Sequence, residues 1–153
     1  MMNLKRLSVS KPVIFFILVM ASIGFLDSVY LTIGHYMNVI PPCTLSGCEI
    51  VLSSSYAEIM GIPTALLGAI YYLAILVLGI AHLDTKKNIF ISWIYVLAII
   101  GFIATVYFFI LQAFVINSFC QYCLVSTATS TIIFLTAVIR FKTIKNQSQN
   151  EPF

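Results

Sequence analysis

Charge is what this sequence has least of. Only 8% of its 153 residues are Asp, Glu, Lys or Arg, against roughly 25% in a soluble domain. That scarcity excludes an ordinary water-soluble fold. It also excludes a nucleic-acid binder, because the formal net charge of +3 sits at the edges of apolar blocks and is not gathered into a patch. No Lys or Arg lies between Lys11 and Lys86, or between Lys87 and Arg140. No clear small-x-small cleavage site follows the first apolar run, which is longer than the roughly 7–15 residues of a signal-peptide core. That run is therefore expected to be an uncleaved span. No inverted repeat is evident and only one clear ionisable group, Asp27, falls inside a span, which argues against a channel or transporter.

What is there is apolar. Hydrophobic residues make up 61% of the chain, in four blocks, each long enough for the about 20 residues that cross a bilayer core. The expectation is an all-α membrane protein, a four-transmembrane-helix bundle, with spans at about 12–34, 63–83, 89–112 and 120–140. A loop over 35–62 joins the first two spans, and tails over 1–11 and 141–153 flank the bundle, the second of them expected to fray. The eight basic residues all fall on one side of this layout. Lys5, Arg6 and Lys11 precede span one, Lys86 and Lys87 join spans two and three, and Arg140, Lys142 and Lys145 follow span four. By the positive-inside rule both termini face the cytoplasm. All four cysteines then lie at the outer face, the oxidising side of a bacterial inner membrane.

Local signals refine the layout. Pro12 opens the first span, and Asp27 lies inside it about two turns from the outer end at His35. A carboxyl there is costly and faces protein or water; it is either a proton carrier near a redox cofactor or a hydrogen-bonded structural group. His35 reads as an interfacial histidine. Pro41-Pro42 forbids helix. Glu49 to Met60 carries enough apolar residues for a short outer-face helix with Ser53, Ser54 and Ser55 on its polar side, and Gly61-Ile62-Pro63 ends it. Ala65, Gly68 and Ala69 give span two a small-residue packing face, and the Ser and Thr residues from Ser126 to Thr131 suit span four to the bundle interior. Trp93 and Tyr95 read as interface anchors.

The four cysteines form two close pairs, Cys43 with Cys48 and Cys120 with Cys123. The second is a C-x-x-C at the start of a helix, where the dipole and unpaired N–H groups favour thiolate and two sulfurs on one turn can bridge. The first flanks a turn containing Gly47 and can close a small disulfide ring. A loop dithiol and a helix dithiol on one face form a relay: the loop pair reaches a soluble partner, and the helix pair lies at the bilayer edge, where a lipid-soluble acceptor can take two electrons. Structural disulfides in a tetraspan scaffold and a four-cysteine zinc site are the bland alternatives; the latter needs thiols kept reduced on an oxidising face, so no metal is expected.

These residues resemble the vitamin K epoxide reductase family and its prokaryotic members. The resemblance runs from about Ser22 to Thr131. It is carried by Cys43 and Cys48, the segment Glu49 to Tyr56, Gly61-Ile62-Pro63 and Cys120-Gln121-Tyr122-Cys123, with Ser54 six residues after Cys48 as the more specific part. It implies a bundle around a quinone pocket, ubiquinone or menaquinone, with Cys123 against the quinone, Cys120 exchanging with a loop cysteine and Ser54 near the active site. It implies an oxidase for disulfide formation in secreted proteins, or a quinone epoxide reductase; the absence of an evident ER retention signal favours the oxidase. The partner is expected to be a thioredoxin-like (DsbA-like) protein acting in trans, since the chain ends soon after span four. The loop pair is closer than in animal members, which leaves its division of labour open; the expectation favours Cys48 for the partner and Cys43 for the relay. Disulfide oxidases of the DsbB type place their C-x-x-C in the first outer loop, the reverse of the order here.

Overall fold

In the computed structural model of the chain, residues 11–44 and 47–149 are described. The expected terminal charges Lys5 and Arg6, the turn residues Leu45 and Ser46, and the end of the second tail lie outside them. The architecture is the expected four-helix membrane bundle. Helix α1 spans Lys11–Met37. A loop then carries a short helix α2, Cys48–Leu52, and a two-stranded antiparallel ribbon, β1 Glu58–Ile59 with β2 Ile62–Pro63. Helix α3 is Thr64–Thr85. Helix α4, Asn88–Ile110, continues into a π-helical turn, Leu111–Ile116. Helix α5 is Gln121–Gln149.

Four of these helices are long and apolar enough to cross a membrane. They invert the rule of soluble proteins: large apolar residues such as Leu26 and Ile103 point outward, 67% and 64% exposed. Lipid is as apolar as they are, so burial in protein adds little and small residues and hydrogen bonds hold the helices together. Helix α1 packs against α3 and α5, and α4 against α5 and α3, closing a ring. The expected small-residue face of α3 meets α1: Ala69 is buried, and a Cβ on Gly68 would lie 3.0 Å from the Ser28 hydroxyl. Two adjacent tyrosines of α3 reach opposite ways. Tyr72 lies over Gly24 of α1, and Tyr71 lies over Gly101 of α4, where any larger side chain would overlap the ring. The Tyr72 hydroxyl bonds Ser126 O, Ser126 Oγ and Thr129 Oγ1 of α5 at 2.8, 3.0 and 2.9 Å, each such interhelical bond being worth about 0.6 kcal/mol. The core below them is Val13, Ile17, Ala21, Ile75, Ala98 and Ile133.

Three details differ from expectation. The loop helix is five residues, not twelve. Ser53 and Ser54 turn their hydroxyls back onto the Glu49 and Val51 carbonyls at 2.6 and 2.7 Å, the local competition that makes serine a helix terminator. The chain then folds as the ribbon, whose two-residue turn, Met60 and Gly61, has positive φ at both positions (54° and 80°), the geometry that fits strand twist. Third, the segment after Arg140, expected to fray, continues as helix to Gln149.

Candidate active site

All four cysteines gather at one end of the bundle. Cys43 and Cys48 are joined by a disulfide, closing the small ring that the spacing allowed. Cys120 and Cys123 are free thiols. Two of the four sulfurs are thus joined in a bond; among the described residues no group of three or more His, Cys, Asp or Glu is arranged for a metal ion. Cys48 and Cys120 are 1% and 0% exposed and form one buried cluster with Val51, against which Cys43, Leu52, Ile116, Tyr122 and Cys123 pack.

The loop is held on the C-x-x-C by three contacts. Thr44 donates from its backbone N–H (3.1 Å) and its hydroxyl (2.6 Å) to Oε1 of Gln121. The Tyr122 hydroxyl donates to the Pro42 carbonyl at 2.9 Å, and its ring packs on Tyr30 of α1. Both residues between the helix cysteines therefore grip the strand that carries Cys43. On the other flank, Gly47 abuts the backbone just before Cys120: a methyl group there would lie 2.7 Å from the Phe119 oxygen and 2.8 Å from its nitrogen. Here glycine is required by close approach, not by its own φ. The ribbon is tied back to α1 by His35 Nε2, 3.3 Å from Glu58 Oε1.

The π turn positions Cys120. One extra residue in the last turn of α4 brings Gln112, 3% exposed, under the C-x-x-C, and its Oε1 accepts the Cys120 backbone N–H at 3.0 Å. π turns of this kind frequently mark functional sites. The chain reverses at Asn117, in the left-handed region at φ 52°, with Ser118 N–H on the Gln112 carbonyl. Cys120 caps α5, its carbonyl accepting from Leu124 N–H. Its thiol is held down to about 7 by the hydrogen bond from Cys123, which outweighs the upward push of burial.

Beneath the cysteines a cavity of about 390 Å³ opens between the helices. Cys123 lines it; the other three cysteines do not. Asp27 and Ser54 also stand in its wall. The Ser54 hydroxyl is committed to closing α2, so the residue shapes the wall through that turn. Among the described residues, three buried polar atoms on residues of the wall make no well-formed hydrogen bond: Asp27 Oδ2, Tyr71 OH and Ser130 Oγ, the last two close enough to interact with each other. Leaving such an atom unsatisfied costs about 1–3 kcal/mol, and one cavity holds all three.

Sequence reasoning brought together the four cysteines, Ser54 and Asp27. It missed Gln112, whose signal was an amide in an otherwise apolar span, and it missed the grip of Gln121, Tyr122 and Thr44, which has no sequence signal at all. It also missed Tyr71 and Ser130 as a pair with Asp27.

A dithiol with one sulfur packed against a disulfide and the other on a cavity wall is an arrangement that can pass electron pairs. The model of the vitamin K epoxide reductase family matches residues 15–138. The chain belongs to that family, and is a multi-pass membrane oxidoreductase of the vitamin K epoxide reductase kind.

Proposed function

With that membership as premise, we propose that the protein is a thiol:quinone oxidoreductase. It oxidises a thioredoxin-like protein acting in trans and reduces ubiquinone or menaquinone, so that disulfides form in secreted proteins. Electrons run from the partner to Cys43 and Cys48, then to Cys120 and Cys123, then to quinone in the cavity. The observation that carries this reading is the division of the C-x-x-C: Cys120 is buried with the loop pair, while Cys123 alone of the four stands in the cavity wall.

The chemistry follows from that division. A partner thiolate attacks the loop disulfide, and the freed loop thiol attacks a Cys120–Cys123 disulfide, each exchange passing two electrons through a mixed disulfide. The burial order supports an assignment opposite to the sequence expectation. Cys43 is half-buried and within reach of a partner, whereas Cys48 is enclosed with Cys120; Cys43 therefore meets the partner and Cys48 the relay. Loop disulfide with helix dithiol is the state in which both electrons have reached the helix pair and only the quinone step remains. The charge bias of the sequence supports placing this end of the bundle outside the cytoplasm of a bacterial cell, where a secreted partner is present.

The test is quinone-dependent oxidation of a reduced thioredoxin-like protein by the purified protein in detergent. Turnover that requires quinone and disappears in Cys120→Ala is the expected result. Cysteines that resist reductant and never cycle would overturn the relay in favour of a scaffold with a structural disulfide.

A further inference from the structure

Oxidation of the helix pair by quinone breaks two S–H bonds, forms one S–S bond and forms two O–H bonds. Sulfur loses two electrons and the quinone gains them; no other oxidant is involved. The protons leaving sulfur must be replaced at quinone oxygens. The chemistry therefore needs a proton carrier as well as an electron donor, and of the thiols only Cys123 stands in the wall.

Three buried polar atoms without a well-formed hydrogen bond among the described residues belong to residues that line this cavity from three helices: Asp27 Oδ2 from α1, Tyr71 OH from α3 and Ser130 Oγ from α5, the last two close enough to interact with each other. Ser130 is 3% exposed. Apolar walls alone would suit a hydrocarbon; these atoms suit a ligand that carries oxygen. They are not equivalent. A serine hydroxyl does not ionise in the working range, and a phenol does so only near about pH 10. Both can hold an oxygen. Only the carboxyl readily gives up a proton and takes it back.

We propose that Asp27 delivers a proton to a quinone oxygen, and that Tyr71 and Ser130 hold that oxygen by hydrogen bonds. This rests on the thiol:quinone reading. As the electron pair leaves sulfur, the Asp27 carboxyl passes its proton to the oxygen. The carboxylate that remains takes one of the two protons leaving the Cys120–Cys123 pair as the disulfide closes, and the other goes to the second quinone oxygen, so the hydroquinone carries both protons and Asp27 ends as it began. The titratable groups around Asp27 are Tyr71 and Tyr72 of α3, Cys120 and Cys123 at the head of α5, and Tyr56 of the loop; α4 and its π turn line the cavity with none. Of these, Asp27 is the one carboxyl.

The experiment is single-turnover reduction of a short-chain ubiquinone analogue and a menaquinone analogue by the pre-reduced full chain. It compares wild type, Asp27→Asn and Asp27→Glu from about pH 6 to pH 9. General-acid catalysis predicts a loss of about 100-fold or more in Asp27→Asn, with unchanged quinone affinity. The wild-type rate should depend on pH through the carboxyl; Asn should lack that dependence and Glu should restore both rate and dependence. Wild-type rate and profile in Asp27→Asn would overturn the proposal, as would a loss explained wholly by weaker quinone binding or by unfolding that Glu shares. Wild type that leaves both quinones oxidised, with a loop pair that still cycles, would overturn the quinone reading and this proposal with it.

Discussion

The two halves of the site differ in how completely they partner their polar groups. At the cysteine cluster the polar groups that hold the loop are partnered: Thr44 with Gln121, Tyr122 with the Pro42 carbonyl, the Cys120 N–H with Gln112. In the cavity directly below, Ser54 and Tyr72 are partnered as well, but three buried polar atoms have no well-formed hydrogen bond among the described residues. A region that satisfies its own hydrogen bonds is built to hold its own geometry. A region that leaves them open is built for something that arrives. Cys120 and Cys123, one helical turn apart, face one region each; on the proposed relay, an electron pair would cross between them from the partner's thiols to the quinone.

The sharpest way to break the upper region without touching a sulfur is Gly47→Ala. The added methyl would meet the Phe119 backbone, which cannot rotate away as a side chain can. The loop must lift, and transfer from the loop pair to Cys120 should slow by about tenfold or more, in keeping with the steep cost of small misplacements at reacting groups. Quinone reduction by a helix pair already reduced should keep its rate. Stopped-flow measurement of the two half-reactions separates them; equal slowing of both would mean that the regions are not distinct.

A smaller effect sharpens the contrast between the two helix sulfurs. The hydrogen bond from Cys123 is the main cause that holds the Cys120 thiol down to about 7. In Cys123→Ala that bond is gone while the burial remains, so the midpoint should rise toward or above the ordinary thiol value of about 8.5. The thiolate fraction at neutral pH then falls, because a higher pKa keeps the proton on to higher pH. Ultraviolet thiolate absorbance, taken as the difference from a variant that also lacks Cys120, reads this directly. An unchanged midpoint would assign the shift to the helix dipole and the Gln112-anchored backbone instead.

What could be read from the sequence was what depends on composition and spacing. Four apolar runs become four helices because a bilayer leaves the backbone no other partner, and cysteines five and three residues apart are neighbours in almost any fold. Asp27 stood out because a carboxylate in an apolar run is rare. What could not be read depends on a few backbone angles. The ribbon turns on Met60, a non-glycine residue at positive φ with 98% of its surface exposed, so no burial pattern announces it. Gln112 reaches Cys120 only because the end of α4 is wound as a π turn; with α-helical winding the same residue would point elsewhere. Gln121 and Tyr122 looked like spacers, and their grip on Pro42 and Thr44 joins residues some 77–80 positions apart, beyond any local pattern.

The most direct measurement is disulfide mapping of the double variant Cys43→Ala with Cys123→Ala, isolated from membranes and digested without reductant. The relay predicts a Cys48–Cys120 disulfide within one chain, because the two enclosed sulfurs are the pair that exchanges and neither has its usual partner. Cys48 and Cys120 found as free thiols under oxidising conditions, or bridged only between chains, would contradict it.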